Sequence, residues 1–303
     1  MFELISRNRK VYTRDRLAFF MSFLSVIILI LVYQVFLGQI QIDAIKEALG
    51  SDTASSDTIK MVNYWLISGL TTIISMSSTL GAFGVMVSDK EKKLSEDFKV
   101  SPISNFKVEL SYAIFAILFG IILTMFSCVF AIGIFNGFSS LLDYSAMDYL
   151  KIFGIVSLST VLSAAIILPI LAFIRTSSAF TTLSTIVGTF IGFISGVYLS
   201  IGSVGETLQQ LMTWFPMTQV NALLKQVLMK DSISQVFDSA PPSVVNEYKE
   251  SYGVVLRNAS GDHLSNSFML SYILVIILAL LIIHFMIKKL KNEDWFIANY
   301  FRV

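Results

Sequence analysis

Long apolar runs alternate with shorter polar ones along this chain, and the pattern predicts membrane-spanning helices. A helix rises about 1.5 Å per residue and must cross about 30 Å of hydrocarbon, so it needs about 20 mostly apolar residues. Six stretches qualify, at residues 17–37, 64–87, 110–134, 152–174, 180–199 and 268–287. None holds Asp, Glu, Lys or Arg in its interior, where one such charge costs about 2.5–3.5 kcal/mol on insertion scales. The expected fold is all-α and integral to the membrane, a single transmembrane domain over 1–303. The first run is too long for a secretory leader and no small-x-small cleavage site follows it, so it reads as an uncleaved anchor.

The polar segments carry patterns of their own. Residues 1–16 mix Phe2, Leu4, Ile5, Val11 and Tyr12 with Arg7, Arg9, Lys10, Arg14 and Arg16. They form either an interfacial amphipathic helix or a simple topogenic cluster. Residues 38–63 are Ser- and Asp-rich and read as a solvated linker, and 135–151 is a short connection. The long segment 200–267 holds two helical stripes, Leu208/Leu211/Met212/Phe215 and Val220/Leu223/Leu224/Val227/Leu228. Phe215-Pro216 should break them into two short outer helices, because proline lacks a donor and restricts its predecessor. Residues 231–267 read as an exposed extension, and its sequon Asn258-Ala259-Ser260 is a triplet that arises often by chance.

The segment 88–107, SDKEKKLSEDFKVSPISNFK, is the most densely charged interruption between apolar runs. A helix over 91–100 would set Leu94 and Phe98 on one face at i, i+4. Lys92, Lys93, Glu96, Asp97 and Lys99 would cover most of the rest. Ser101-Pro102 would end it, since the residue before proline is pushed out of the helical region.

Composition narrows the chemistry. The chain is 55% hydrophobic and 14% charged, with mean hydropathy +0.73, against about 25% charged for soluble domains. The single cysteine, Cys128, excludes a disulfide framework. His263 and His284 are far apart in sequence, which argues against a histidine metal site. Cys128 and His284 read as packing residues, and Tyr64, Trp65, Trp295 and Tyr300 as interfacial anchors. No G-x-x-x-x-G-K-[ST] occurs, so this chain lacks the phosphate cradle of a P-loop ATPase. No catalytic residue, metal or nucleic-acid partner is expected.

Charge sets the orientation. With both termini inside, the inner segments hold 15 of the 22 Lys and Arg but only 9 of the 21 Asp and Glu. The inner surface is then +6 and the outer −5, which the positive-inside rule reads as N-in, C-in. The segment 88–107 falls on the cytoplasmic side. In the fifth run, Gly188, Gly192 and Gly196 recur every four residues, a smooth helix face for packing within the chain or against a second subunit. Pro169 should kink or loosen the fourth run.

Other kinds of membrane protein find limited support in these residues. A secondary transporter usually places ionisable groups at mid-membrane, and these runs lack them. Thr71, Thr72, Ser75, Ser77, Ser78 and Thr79 leave ion coupling open. An intramembrane enzyme would need a Ser/His, paired-Asp or metal constellation, and a non-transporting scaffold or sensor is a further alternative.

The segment 88–107 resembles the signature region of ABC-2-type transport permeases, the membrane subunits of ATP-binding-cassette exporters. The matching positions are Glu91, Lys92, Glu96, Phe98, Val100, Ser101, Pro102, Ile103 and Ser104. The chain departs from the pattern at Lys93, where glycine is common, and at Lys99, where an apolar residue is usual. Arg7 with Arg14-Asp15-Arg16 is similar to the family's basic amphipathic helix. Trp214-Phe215-Pro216, Leu223-Leu224 and Asp231 are similar to the aromatic-Pro stretch before its last span. The resemblance implies a homo- or heterodimeric permease in a bacterial plasma membrane, in contact with lipid. It also implies two copies of a separate ATPase that bind ATP and Mg, docked on a coupling helix carrying Glu91, Lys92, Leu94, Glu96, Phe98, Val100, Ser101 and Pro102. Peptide, drug, lipid and glycan cargoes are all compatible.

Overall fold

The structure is a computed structural model that describes residues 1–32, 42–43, 55–94, 103–238 and 240–300, with side chains described except at 17, 18, 21, 22, 25, 26, 29 and 291–300. Among the described residues the regular structure is helical apart from one antiparallel bridge, Arg257 to His263. The helices are α1 (Phe2–Arg14), α2 (Arg16–Val32), α3 (Ser56–Ala82), α4 (Gly84–Glu91), α5 (Asn105–Asn136), α6 (Ala146–Leu171) and α7 (Ser177–Ile194). They continue as α8 (Glu206–Trp214), α9 (Pro216–Leu228), α10 (Lys230–Val236), α11 (Pro242–Ser251) and α12 (Asn266–Tyr300).

Five segments are long and apolar enough to cross a membrane: Ser56–Glu91, Asn105–Asn136, Ala146–Leu171, Ser177–Ile194 and Asn266–Leu290. These coincide with five of the six expected runs. The other run, 17–37, is helical as far as Val32 and then leaves the described residues.

Four helix starts lie outside the expected bounds, and side-chain caps account for them. Ser55, Ser104, Ser145 and Thr176 each accept a backbone N–H from three residues on, satisfying donors that a helix start leaves orphaned. Ser145 and Asp148 complete a capping box. The second run thus begins at Ser56 rather than 64, and the fourth at Ala146 rather than 152. Pro169 sits in the last turn of α6, so its missing N–H bond leaves little helix beyond it to be kinked.

α3 is the central helix, packed on α5, α6, α7 and α9. In the apolar stretch of Ser56–Glu91, 83% of residues are buried within the chain, against 11% for α7 and 17% for the α12 span. α7 and α12 therefore present most of their apolar surface outward. Inside α3 the hydroxyls of Ser68, Thr71, Thr72 and Ser75 donate to carbonyls of the preceding turn. Their donor hydrogens are satisfied locally, and Ser75 also meets Ser159 Oγ of α6.

Many described residues of 231–267 are exposed, as expected of an extension, but Ile233, Phe237, Tyr248, Val254, Leu256 and Leu264 are buried. A turn in which Val254 and Val255 N–H both donate to Lys249 O brings the apolar run 252–256 inward. The break at Phe215-Pro216 is present: Phe215 is extended, and Pro216 opens α9 at the position where a missing N–H costs least.

Candidate functional site

The polar segment begins at the C-terminal end of α4, and three consecutive residues there each bind a different element. Asp89 is 3% exposed and accepts from Arg7 of α1, with Arg7 Nη2 to Oδ1 at 3.0 Å and Nη1 bonded to Oδ2. Tyr112 OH of α5 donates to the same carboxylate. Lys90 Nζ donates to Leu171 O at 2.9 Å, at the last turn of α6. A cation there satisfies an orphan carbonyl and faces the negative end of the helix dipole. The Glu91 carboxylate accepts from Ser177 Oγ at the start of α7.

α1 is a folded amphipathic helix rather than a loose cluster of charge. Leu4, Ile5 and Tyr12 pack against the core, and the Tyr12 ring lies 4.6 Å from that of Phe119. Asn8 is buried and donates to Ser111 Oγ of α5 at 3.2 Å. The hydrogen bond from Arg7 to Asp89 raises the guanidinium's already high pKa, so Arg7 stays charged at any accessible pH. Arg7 and Asn8 thus bind α1 to the base of the hairpin and to α5.

Beyond Glu91 the helix does not run straight on to 100. Lys92 caps it, and Lys93 takes φ of 60°, the single non-glycine residue with positive φ among those described. This left-handed conformation suits glycine, because it crowds the Cβ of any other residue. Helix resumes at Leu94, which is 38% exposed. The expected docking positions Glu96, Phe98, Val100, Ser101 and Pro102 lie outside the described residues. On the far side, Ile103 packs against the core and Ser104 caps α5.

The three glycines of the fifth run do not make one helix face. α7 ends at Ile194, and Gly196, with φ of 65°, turns the chain back. The return puts the Tyr198 ring over Gly192, where a Cβ would overlap it. Gly188 alone faces open space. The spacing of four at 192 and 196 thus serves a turn within the chain.

Sequence reasoning missed two groups. Asp89 and Lys90 were legible only as charges flanking a run, since their partners Arg7 and Leu171 are about 80 positions away. The other group is a polar stripe on α9. Thr218 Oγ1, Asn221 Nδ2 and Lys225 Nζ donate to Ile194 O, Ser195 O and Gly196 O, the carbonyls at the end of α7, at 2.9, 2.9 and 3.5 Å. Lys225 is 1% exposed, donates also to Tyr252 O at 2.8 Å, and lies 4.9 Å above the Trp65 ring. Trp65 Nε1 donates to the same Tyr252 carbonyl at 3.0 Å. Burial pulls the Lys225 pKa down to about 7. The stripe at i, i+3, i+7 was visible in the sequence; its target was not.

No curated protein matches the chain. A family profile described as ABC-2 family transporter protein matches residues 39–288, a range that takes in Asp89-Lys90-Glu91, the capped helices and the segment 231–267. This multi-pass membrane protein belongs to the ABC-2 transporter family.

Proposed function

We propose that the chain is the permease half of an ATP-driven exporter, with its power supplied by a separate ATPase that docks on the segment 88–107. In this reading it has six spans with both termini in the cytoplasm of a bacterial cell, and it pairs in the plasma membrane with a second permease chain. Two ATPase subunits bind ATP and Mg beneath the pair. The observation that carries the reading is the run Asp89-Lys90-Glu91, whose side chains bind α1, the end of α6 and the start of α7. A force applied to the hairpin therefore reaches several helices at once through charged and polar bonds, rather than being absorbed in a loop.

Docking and transmission separate experimentally. The full chain is co-expressed with ATP-binding-cassette ATPases from the same genome, and the pair is isolated and reconstituted in vesicles. Phe98→Asp is expected to abolish co-purification, because it places a charge on the apolar docking face. Lys90→Met is expected to keep co-purification and to lower permease-dependent stimulation of ATP hydrolysis about fivefold or more, the scale of a lost inter-site coupling. If no ATPase co-purifies with the wild-type chain, or Phe98→Asp binds and stimulates normally, the docking assignment is wrong.

A further inference from the structure

A cavity of about 350 Å³ lies between the C-terminal end of α9, α10, α11 and the chain at 254–255. None of its lining residues belongs to a helix long and apolar enough to cross a membrane. Ile233, Phe237, Val245, Val254 and Val255 supply apolar walls, and Ile233, Phe237 and Val254 are buried. The Phe237 ring packs on that of Tyr248, with centroids 5.0 Å apart. Gln226 Nε2 donates to Val254 O at 2.9 Å and ties the chain there to α9. The walls are therefore set by contacts within the chain.

The charge on these walls is of one sign. Lys230 and Lys249 line the cavity, and no Asp or Glu does. Asp231 and Glu247 lie about 100° and about 200° around their helices from these lysines, at 3.6 residues per turn. Glu250 is engaged by Arg257 and His263. Neither lysine ammonium has a hydrogen-bond or ion-pair partner among the described residues. Other polar groups of the walls are engaged within the chain. Ser234 Oγ donates to Asp231 O, and the N–H groups of Val254 and Val255 donate to Lys249 O. What the cavity offers a ligand is thus an apolar hollow with two free cationic donors.

We infer that this cavity binds a small organic carboxylate that carries one apolar group of side-chain size, either a free acid or the C-terminus of a peptide ending in an apolar residue. The apolar group sits against Phe237, Val245 and Val254. The carboxylate faces Lys230 and Lys249, where charge-assisted hydrogen bonds are the strong ones. The volume is at the lower end of the roughly 300–1,000 Å³ of small-molecule sites, room for one such group and not for a folded partner. The walls come from none of the helices that meet hydrocarbon, which favours a water-borne ligand over a lipid acyl chain. That the site faces the outside rests on the proposed orientation; the site itself rests on the fold and needs no ATPase.

The test uses the full-length permease alone, in phosphatidylcholine nanodiscs, titrated by calorimetry. The probes are N-acetyl-phenylalanine, its neutral amide, and acetate. N-acetyl-phenylalanine is expected to bind once per chain. The amide lacks the charge and acetate lacks the apolar group, so each should bind about tenfold more weakly or worse. Lys230→Gln and Lys249→Gln should each weaken binding of N-acetyl-phenylalanine about fivefold or more. Both side chains are at least partly exposed, so these substitutions leave the fold intact. Val245→Trp fills the cavity without altering charge and should weaken binding as well. A peptide ending in phenylalanine that binds as tightly as N-acetyl-phenylalanine assigns peptide ends as the source, and a peptide that is excluded assigns free acids. The inference is overturned if the wild-type chain does not bind N-acetyl-phenylalanine, or if the amide or acetate binds as tightly. Binding that survives unchanged in both lysine variants, or in Val245→Trp, also overturns it.

Discussion

Arg7 forks onto Asp89, so that the amphipathic helix at the start of the chain is fastened to the base of a hairpin some 80 positions later. Asp89 is nearly without solvent and Arg7 is about one-third exposed at its side chain. Removing one partner of such a pair leaves a buried charge, which typically costs 3–5 kcal/mol, roughly, whereas removing both costs far less. Arg7→Leu is expected to lower the unfolding temperature in detergent by roughly 5–10 °C. Arg7→Leu with Asp89→Leu is expected to recover part of that loss. An unaltered melting temperature in Arg7→Leu would show that the fork does not hold α1 in place.

Lys93 occupies a left-handed position that costs a non-glycine residue about 1–2 kcal/mol. Lys93→Gly should therefore raise stability by about 1 kcal/mol, and Lys93→Val should lower it. Thermal unfolding of the two variants beside wild type decides the matter, and the reverse order would mean that the turn at 92–93 is not held in this conformation.

Gly192 lies beneath the Tyr198 ring, and the two are joined through the turn at Gly196. Gly192→Ala should destabilise by about 1–3 kcal/mol, the usual range for overpacking, and Tyr198→Ala in the same chain should relieve most of it. Gly188→Ala meets open space and should be neutral or slightly stabilising, because alanine is the better helix former. A Gly192→Ala penalty that persists without the Tyr198 ring would place the contact elsewhere.

Lys225 sets a pH dependence at the end of α7. Its pKa is about 7 when folded, against 10.5 as its ordinary value, so the unfolded chain binds a proton that the folded chain releases. The sign follows: stability rises with pH between about 7 and about 10 and is lowest below about 7. The carbonyls of Tyr252 and Gly196 and the Trp65 face favour the charged form, so the gain is expected on the order of 1–3 kcal/mol. Lys225→Met should flatten the curve of melting temperature against pH in that window. A slope that survives the substitution would assign it to another group.

The helical class, five of the apolar spans and the break at Phe215-Pro216 were legible in the chain, because each depends on neighbours in sequence. Uninterrupted apolar length answers to the bilayer thickness, and proline acts on its own turn. The Ser and Thr caps were legible too, yet hydropathy alone set the expected bounds several residues inside them. Local spacing misled at Gly192 and Gly196, since a period of four looks the same in a helix face and in a helix end that turns back.

Sequence by itself determined which stretches are apolar enough to cross a membrane and where the charge lies, since both follow from local composition. Only the tertiary structure decided what the charges do. Asp89, Lys90 and Glu91 are adjacent in the chain and bind three different elements, and Lys225 closes the end of a span from a helix beyond it. In the polar segment 231–267, Ile233, Phe237, Tyr248, Val254, Leu256 and Leu264 are nonetheless buried. The physical reason is common to all: burial and pairing depend on partners tens of positions away, and no local pattern records which partner the folded chain will bring.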